Sequence, residues 1–336
     1  MGDTAFSAET SQGGDGALHL PARTILPPKS ISPRAQAFLA EAAMRGPPPL
    51  EPPPTDLEAW RKRPQMEVEL LKKMVEHFKG ETLTIPLPGG ASIHQVTPAG
   101  RSGRSTQVAV LDIHGGGFVS GGGDLCRDVA MIRAGALGAE YFAVDYRMPP
   151  DHPYPTPLDD CLAAYREVLS RYPATNLVVS GASAGGNLAA ALMLRARDES
   201  LPLPAGLVLD TPEVDLTQSG DTFVTNQILD VALYRPLNNS IALYAQGHDL
   251  RHPYLSPLFG DFTKGWPPTI LTSGTRDLFL SNTVLMHRAL RRAHVAAELH
   301  VCEAAPHGGF MGRAPEDLEM AMECIRFTKQ RLGMSA

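Results

Sequence analysis

From Gly80 onward, short apolar stretches ending in Gly or Asp turns alternate with segments of helical periodicity, and this alternation limits the fold more than any other feature. Residues 107–114, 141–146, 176–181, 205–212, 268–274 and 297–303 read as strands. The patterns at 125–137, 157–171, 184–197, 283–293 and 315–332 read as helices. Such alternation predicts an α/β fold with a mostly parallel sheet covered on both faces, where functional groups collect at the carboxyl ends of strands. A chain of 336 residues is long enough for one large domain of this kind.

Three stretches stand outside the alternation. Residues 1–30 are polar and turn-rich and read as a flexible tail. Ala35, Phe38, Leu39, Ala42 and Ala43 recur at helical spacing between Ser32 and Arg45, until Gly46 and the run PPPLEPPP stop the pattern. A second helix is expected between Asp56 and Phe78, interrupted at Pro64, with Leu70, Leu71, Met74, Val75 and Phe78 in one apolar stripe. Between Asp215 and Pro253 the chain is polar and irregular, with a helix expected over 233–246. An insertion there, joined to the two N-terminal helices, suits a cap over the edge of the sheet that carries the site.

Charge and composition remove several classes of function. Thirty Lys plus Arg face 36 Asp plus Glu, a net charge of −6, so no basic excess exists to neutralise the phosphates of a nucleic acid. No uninterrupted run of about 18 apolar residues is present, so no integral membrane segment is expected. Met1 to Leu20 lacks the cationic start and apolar middle of an export signal, and a soluble, cytoplasmic protein is expected. Cys126, Cys161, Cys302 and Cys324 show no close pairing, which argues for buried thiols rather than a zinc site or a disulfide framework.

The chemistry is carried by three Gly-rich passages. Gly181-Ala182-Ser183-Ala184-Gly185 lies between a strand and a helix, where a serine on a sharp turn needs small neighbours on both sides. Neither G-x-G-x-x-G nor a G-K-[ST] ending is present, which weakens a phosphate-cradle reading. Upstream, His114-Gly115-Gly116-Gly117-Phe118 follows a strand. Successive glycines there can aim N–H groups at one point, as a developing oxyanion requires. Downstream, His307 sits in the loop after the last strand, beside Gly308 and Gly309, as a base for the serine. Asp277 and Asp210 both end strands and compete for the carboxylate that orients the histidine. Asp277 is preferred because it gives the chain order Ser, Asp, His.

Taken together, HGGGF (114–118), YRMPPDHPYPTPLDD (146–160), GASAGG (181–186), DLT (215–217), SPL (256–258), RDLFLS (276–281) and HGGF (307–310) resemble the ordered signature of the hormone-sensitive-lipase family of carboxylesterases. The resemblance implies an α/β-hydrolase fold with a helical cap, acting on small-molecule carboxylic esters without metal or cofactor. It matches Ser183 to the nucleophile, Asp277 to the acid and His307 to the base. Gly115, Gly116, Gly117 and Ala184 fall in the oxyanion-hole positions. Arg147 and Asp160 fall in a supporting segment, and His114 and Glu213 are candidate supports near the elbow. For Glu213, a surface salt bridge is an equal alternative. Three positions depart from the family pattern: Ala182 where Asp or Thr is usual, Leu278 for the frequent Pro after the acid, and Ser281 where a second acid is common.

The expected organisation is therefore a tail at 1–30, cap helices at 31–80, a catalytic domain at 81–216 and 250–336, and a cap insertion at 217–249. The final helix is the candidate face for a homodimer. The expected activity is hydrolysis of short- to medium-chain esters through an acyl-enzyme, with activity failing on the acid side near the ordinary histidine pKa, about 6 to 7. An amidase, lactonase or deacetylase would use the same triad, and a non-catalytic receptor of the same fold is the rival from outside enzymology.

Overall fold

The computed structural model describes residues 22–63, 73 and 75–335. Its strands are β1 (Gly80–Pro86), β2 (Ser92–Pro98), β3 (Ala109–Ile113), β4 (Glu140–Asp145), β5 (Leu177–Ala182), β6 (Gly206–Asp210), β7 (Thr269–Gly274) and β8 (Ala297–Cys302). They form one sheet in the order β1-β2-β4-β3-β5-β6-β7-β8. β3 to β8 pair in parallel, while β1 with β2 and β2 with β4 pair antiparallel. The six strands read from the sequence are present, and β1 and β2 are additional. β1 is exposed along almost its whole length and is held by its backbone ladder to β2, so it carries little apolar signal. In β2 the two buried apolar side chains, Ile93 and Val96, go to opposite faces and show no one-sided alternation.

Both faces of the sheet are covered. Helices α3 (Asp124–Leu137) and α9 (Pro315–Leu332) pack one face, where Val110, Val178, Val208 and Ile270 meet Ala130, Ala134 and Phe327. Helices α4 (Thr156–Leu169), α5 (Ala184–Asp198) and α8 (Leu280–Arg292) pack the other, where Leu111, Val179, Leu209 and Leu271 meet Leu158, Leu188, Leu192 and Leu290. The period of two along each strand sends neighbouring residues to the two layers. α5 is buried on nearly every side, which anchors the turn that precedes it.

The segments outside the alternation pack against one another and against the carboxyl edge. Helix α1 (Pro33–Arg45) is capped by the Ser32 side chain and buries Ala35, Phe38, Leu39 and Ala42, while Ala43 is exposed. Helix α2 (Leu57–Arg61) is capped by Asp56. Residues 64–72 and 74 of the predicted second helix, among them Pro64, Leu70, Leu71 and Met74, lie outside the described residues, as do residues 1–21 of the predicted tail. The stretch 217–249 contains α6 (Thr222–Thr225), which the sequence did not reveal, and α7 (Asn238–Ala245). α7 starts five residues later than predicted because Pro236 disfavours a helical conformation at Arg235 before it. Tyr234 donates its hydroxyl to the Ala42 carbonyl at 3.0 Å, and the Asn239 side chain donates to the Glu51 carbonyl at 3.2 Å.

All four cysteines are free. Cys126 and Cys161 are buried as expected, but Cys302 and Cys324 are only half-buried. Among the described residues no helix is long and apolar enough to cross a membrane.

Candidate active site

Ser183 stands between β5 and α5 with φ 56° and ψ −123°, a conformation that costs a non-glycine residue roughly 1–3 kcal/mol. The surroundings hold it there. The Ser183 amide donates to the Asp210 carbonyl at 2.9 Å, and its own carbonyl accepts from the amides of Asn187 and Glu213, each at 3.2 Å. Gly185 lies so near the end of β3 that a Cβ would overlap the carbonyl oxygens of Ile113 and His114. At Gly181 a Cβ would overlap the Gly185 carbonyl. These two positions require glycine because backbone meets backbone.

The glycine loop comes up beside this turn. A Cβ on Gly115 would lie 3.1 Å from the Ser183 Cβ and 2.9 Å from the Ala182 carbonyl oxygen. Gly116 and Gly117 have φ of 117° and 60°. The Gly116 carbonyl turns away, accepting from the amides of Val119 and Ser120 at 3.1 Å, which leaves the loop's N–H groups on the opposite side. The Gly116 and Gly117 amides find no acceptor among the described residues. Ala184 is the first residue of α5, where a helix has no internal partner for its N–H. His114 stacks on Tyr146 with ring centroids 4.1 Å apart, and the Tyr146 hydroxyl donates to the His114 carbonyl at 3.0 Å, so the pair braces the start of the loop.

The remaining groups come from the ends of β7 and β8. His307 Nε2 is 2.9 Å from Ser183 Oγ, and His307 Nδ1 is 3.0 Å from Asp277 Oδ1. The Asp277 carboxylate is fully buried and also accepts from the Phe279 amide at 2.9 Å and from Ser273 Oγ at 2.7 Å. With Nδ1–H donated to that carboxylate, the Nε2 lone pair faces the serine hydroxyl. Burial opposes a charge on the imidazole, but the Asp277 carboxylate, helped by Asp230 and Asp210, outweighs it and raises the pKa to about 9. On this shift the acid limb of activity is expected above the ordinary histidine range.

The other candidates have distinct places. Asp210, the rival acid, accepts from the Thr272 hydroxyl of β7, and the bond to His307 Nδ1 belongs to Asp277. Arg147 donates to both carboxylate oxygens of buried Asp160, at 2.7 and 3.0 Å, fixing the Pro-rich segment. Glu213 is not on the surface. It is wholly buried, neither carboxyl oxygen has a partner among the described residues, and burial pushes its pKa up to about 8. Sequence reading missed Ser273, Asn226 and Asp230. The Asn226 side-chain amide donates to the Asp277 carbonyl at 2.8 Å, and the Asp230 carboxylate accepts from the amides of Leu278 at 2.8 Å and His307 at 3.2 Å. For Asn226 and Asp230 the only sequence signal is polarity inside a stretch that the helical and strand patterns leave unexplained, while Ser273 lies within the strand read over 268–274. Among the described residues no group of three or more His, Cys, Asp or Glu is placed to hold a metal ion.

Comparison with known proteins agrees with this architecture. The profile of a family described as alpha/beta hydrolase fold matches residues 110–311. An acetyl-hydrolase from Streptomyces hygroscopicus is 32% identical over 216 residues, which is 64% of this chain and 70% of the relative. A crystal structure of an esterase superposes with a TM-score of 0.84 at 30% identity, covering 94% of this chain and 98% of the other. An esterase of the bacterial hormone-sensitive lipase family superposes with a TM-score of 0.74 at 25% identity, covering 90% and 99%.

Proposed function

Because the chain belongs to the hormone-sensitive-lipase family of α/β-hydrolases and is a carboxylic ester hydrolase, we propose that it cleaves short- to medium-chain esters through an acyl-enzyme formed on Ser183. As Ser183 Oγ attacks the ester carbonyl, His307 Nε2 takes its proton, and Asp277 stabilises the imidazolium and holds its orientation. The tetrahedral oxygen accepts from the amides of Gly116, Gly117 and Ala184, while Gly115 allows the glycine loop its close approach. The imidazolium then protonates the departing alcohol. A water, deprotonated by the same nitrogen, attacks the acyl carbonyl and releases the acid, restoring Ser183.

The observation that supports this reading is the unbroken series of hydrogen bonds from Ser183 Oγ through His307 to Asp277, at 2.9 and 3.0 Å, beside the Ala184 amide at a helix start and the Gly116 and Gly117 amides, which have no acceptor among the described residues. The acyl-length limit follows from the segment 217–249, which we read as the cap insertion. From it, Leu237 Cδ1 comes within 3.4 Å and Ser240 Oγ within 3.7 Å of a Cβ built on Gly117, so this segment packs beside the proposed oxyanion hole.

The test pairs a fluorophosphonate probe with p-nitrophenyl esters of increasing acyl length, alongside an amide and a lactone, on wild type and Ser183→Ala. Wild type should be labelled at Ser183 and turn over the shorter esters fastest. Ser183→Ala should lose labelling and on the order of 10⁶-fold in kcat, the loss seen when a triad serine is removed elsewhere. Unlabelled wild type, or a Ser183→Ala variant with normal kcat, refutes the acyl-enzyme. Fastest turnover of long-chain esters refutes the length limit.

A further inference from the structure

We infer that Asp230 is a positioning residue that holds the acid and the base of the proposed triad in register, from a segment outside the α/β core. The inference rests on the reading of Ser183, Asp277 and His307 as that triad. Asp230 is fully buried and, among the described residues, has no cationic side chain bonded to it. Its acceptors are taken up by main-chain amides from three places in the sequence. Oδ1 accepts from Ala232 at 3.0 Å and Leu233 at 2.9 Å, and Oδ2 from Leu278 at 2.8 Å. The His307 amide lies 3.2 Å from both oxygens.

One rigid carboxylate therefore fixes the residue after Asp277 and the backbone of His307 against each other, and that distance governs the Asp277–His307 bond. Packing alone does not explain an acid here, since a buried carboxylate is costly unless amide donors satisfy it. Such donors converge on it from both loops. Leu278 stands where the resembled pattern has a proline, which has no N–H. Its buried amide needs an acceptor, and Asp230 supplies it.

The neighbouring contacts follow the same line. Thr222, Asn226 and Asp230 are spaced four residues apart. Thr222 Oγ1 donates to the Leu278 carbonyl at 2.8 Å, and Asn226 donates to the Thr275 and Asp277 carbonyls at 3.2 and 2.8 Å. Ser281, at the place of the usual second acid, exchanges bonds with Thr222, each 3.0 Å long. Of these side chains Asp230 alone also reaches His307.

Asp230→Asn is the decisive variant, because its single carbonyl oxygen cannot serve the Ala232 and Leu233 amides on one side and the Leu278 amide on the other, so one side faces an NH₂ that cannot accept. A displacement of about 1 Å at a catalytic pair costs about a hundredfold in rate, so kcat should fall by about that factor with KM little changed. The acid limb of kcat/KM should also move to lower pH. The ionisable groups that face the imidazole are Asp277, Asp230, Asp210 and Glu213, and Asp230→Asn removes one negative charge from this set. Asn226→Ala loosens the same loop without altering charge, and should lower kcat several-fold with the acid limb in place. Thermal unfolding establishes that each variant is folded.

Probe labelling of wild type at Ser183 separates the two levels: unlabelled wild type removes the triad and this inference together. With wild type labelled, a folded Asp230→Asn variant of unchanged kcat, or one whose acid limb stays put, overturns the role of Asp230. Should Asp230→Asn fail to fold, an Asn226→Ala variant with wild-type kcat overturns it.

Discussion

The nucleophile side of the site and the acid–base side are held by different physics. Around Ser183 the restraint is steric: Gly181, Gly185 and Gly115 let backbone segments approach closer than any side chain allows, and α5 locks the turn from below. Around Asp277 and His307 the restraint is chiefly polar, with Ser273, Asn226 and Asp230 reaching loops that have little regular structure of their own. The first arrangement is seeded by a strand, a turn and a helix adjacent in sequence and closed by the end of β3 and the glycine loop after it. The second has a local bond from Ser273 but otherwise relies on residues 30 to 77 positions apart. Sterically built turns tolerate no added atom. Polar clasps tolerate a change of volume but no loss of an acceptor.

The sharpest test of this contrast is Asp277→Asn. It keeps the shape but removes acceptors that His307, Ser273 and the Phe279 amide share. Activity should fall by on the order of 10⁴-fold, as when a triad carboxylate is amidated elsewhere, with the Tm close to wild type. A collapse of the Tm instead would show that the acid–base side also relies on close packing.

Gly185→Ala is the complementary change on the steric side. Its methyl would overlap the Ile113 and His114 carbonyls, so urea unfolding should report a loss of about 3 kcal/mol together with loss of probe labelling. Wild-type stability would break the contrast.

Glu213→Gln has the smallest effect and probes what lies between the two sides. The buried carboxyl has its pKa raised from 4.5 to about 8, so the folded protein keeps a proton that the unfolded chain releases. Stability of wild type should therefore decline as pH rises through this window, from about 4.5 to about 8. The glutamine does not titrate. It should match wild type near pH 4 and exceed it by about 3 kcal/mol at pH 7, read from urea midpoints. Parallel pH curves for the two proteins would refute a buried neutral Glu213.

The same division explains what could be read from the chain. The strand–helix alternation, α1 and the glycines of both loops are local patterns, and they appear where expected. The hairpin of β1 and β2 escaped because an exposed edge strand is stabilised by pairing rather than by a one-sided apolar pattern. In the site, Ser183, Asp277 and His307 could be named from motif and chain order, and the structure brings them within bonding distance. Glu213 could be placed near the elbow, but its complete burial could not, because that depends on side chains distant in sequence.

By itself, then, the sequence determined the layered α/β architecture and the glycine-rich turns at strand ends, since both follow from patterns within a few residues. Tertiary structure alone decided that Gly185 meets the end of β3, that Asp230 receives amides of both loops, and that Glu213 is buried without a partner among the described residues. Hydrogen bonds and burial between residues far apart along the chain depend on where whole segments come to rest, and no local pattern encodes that.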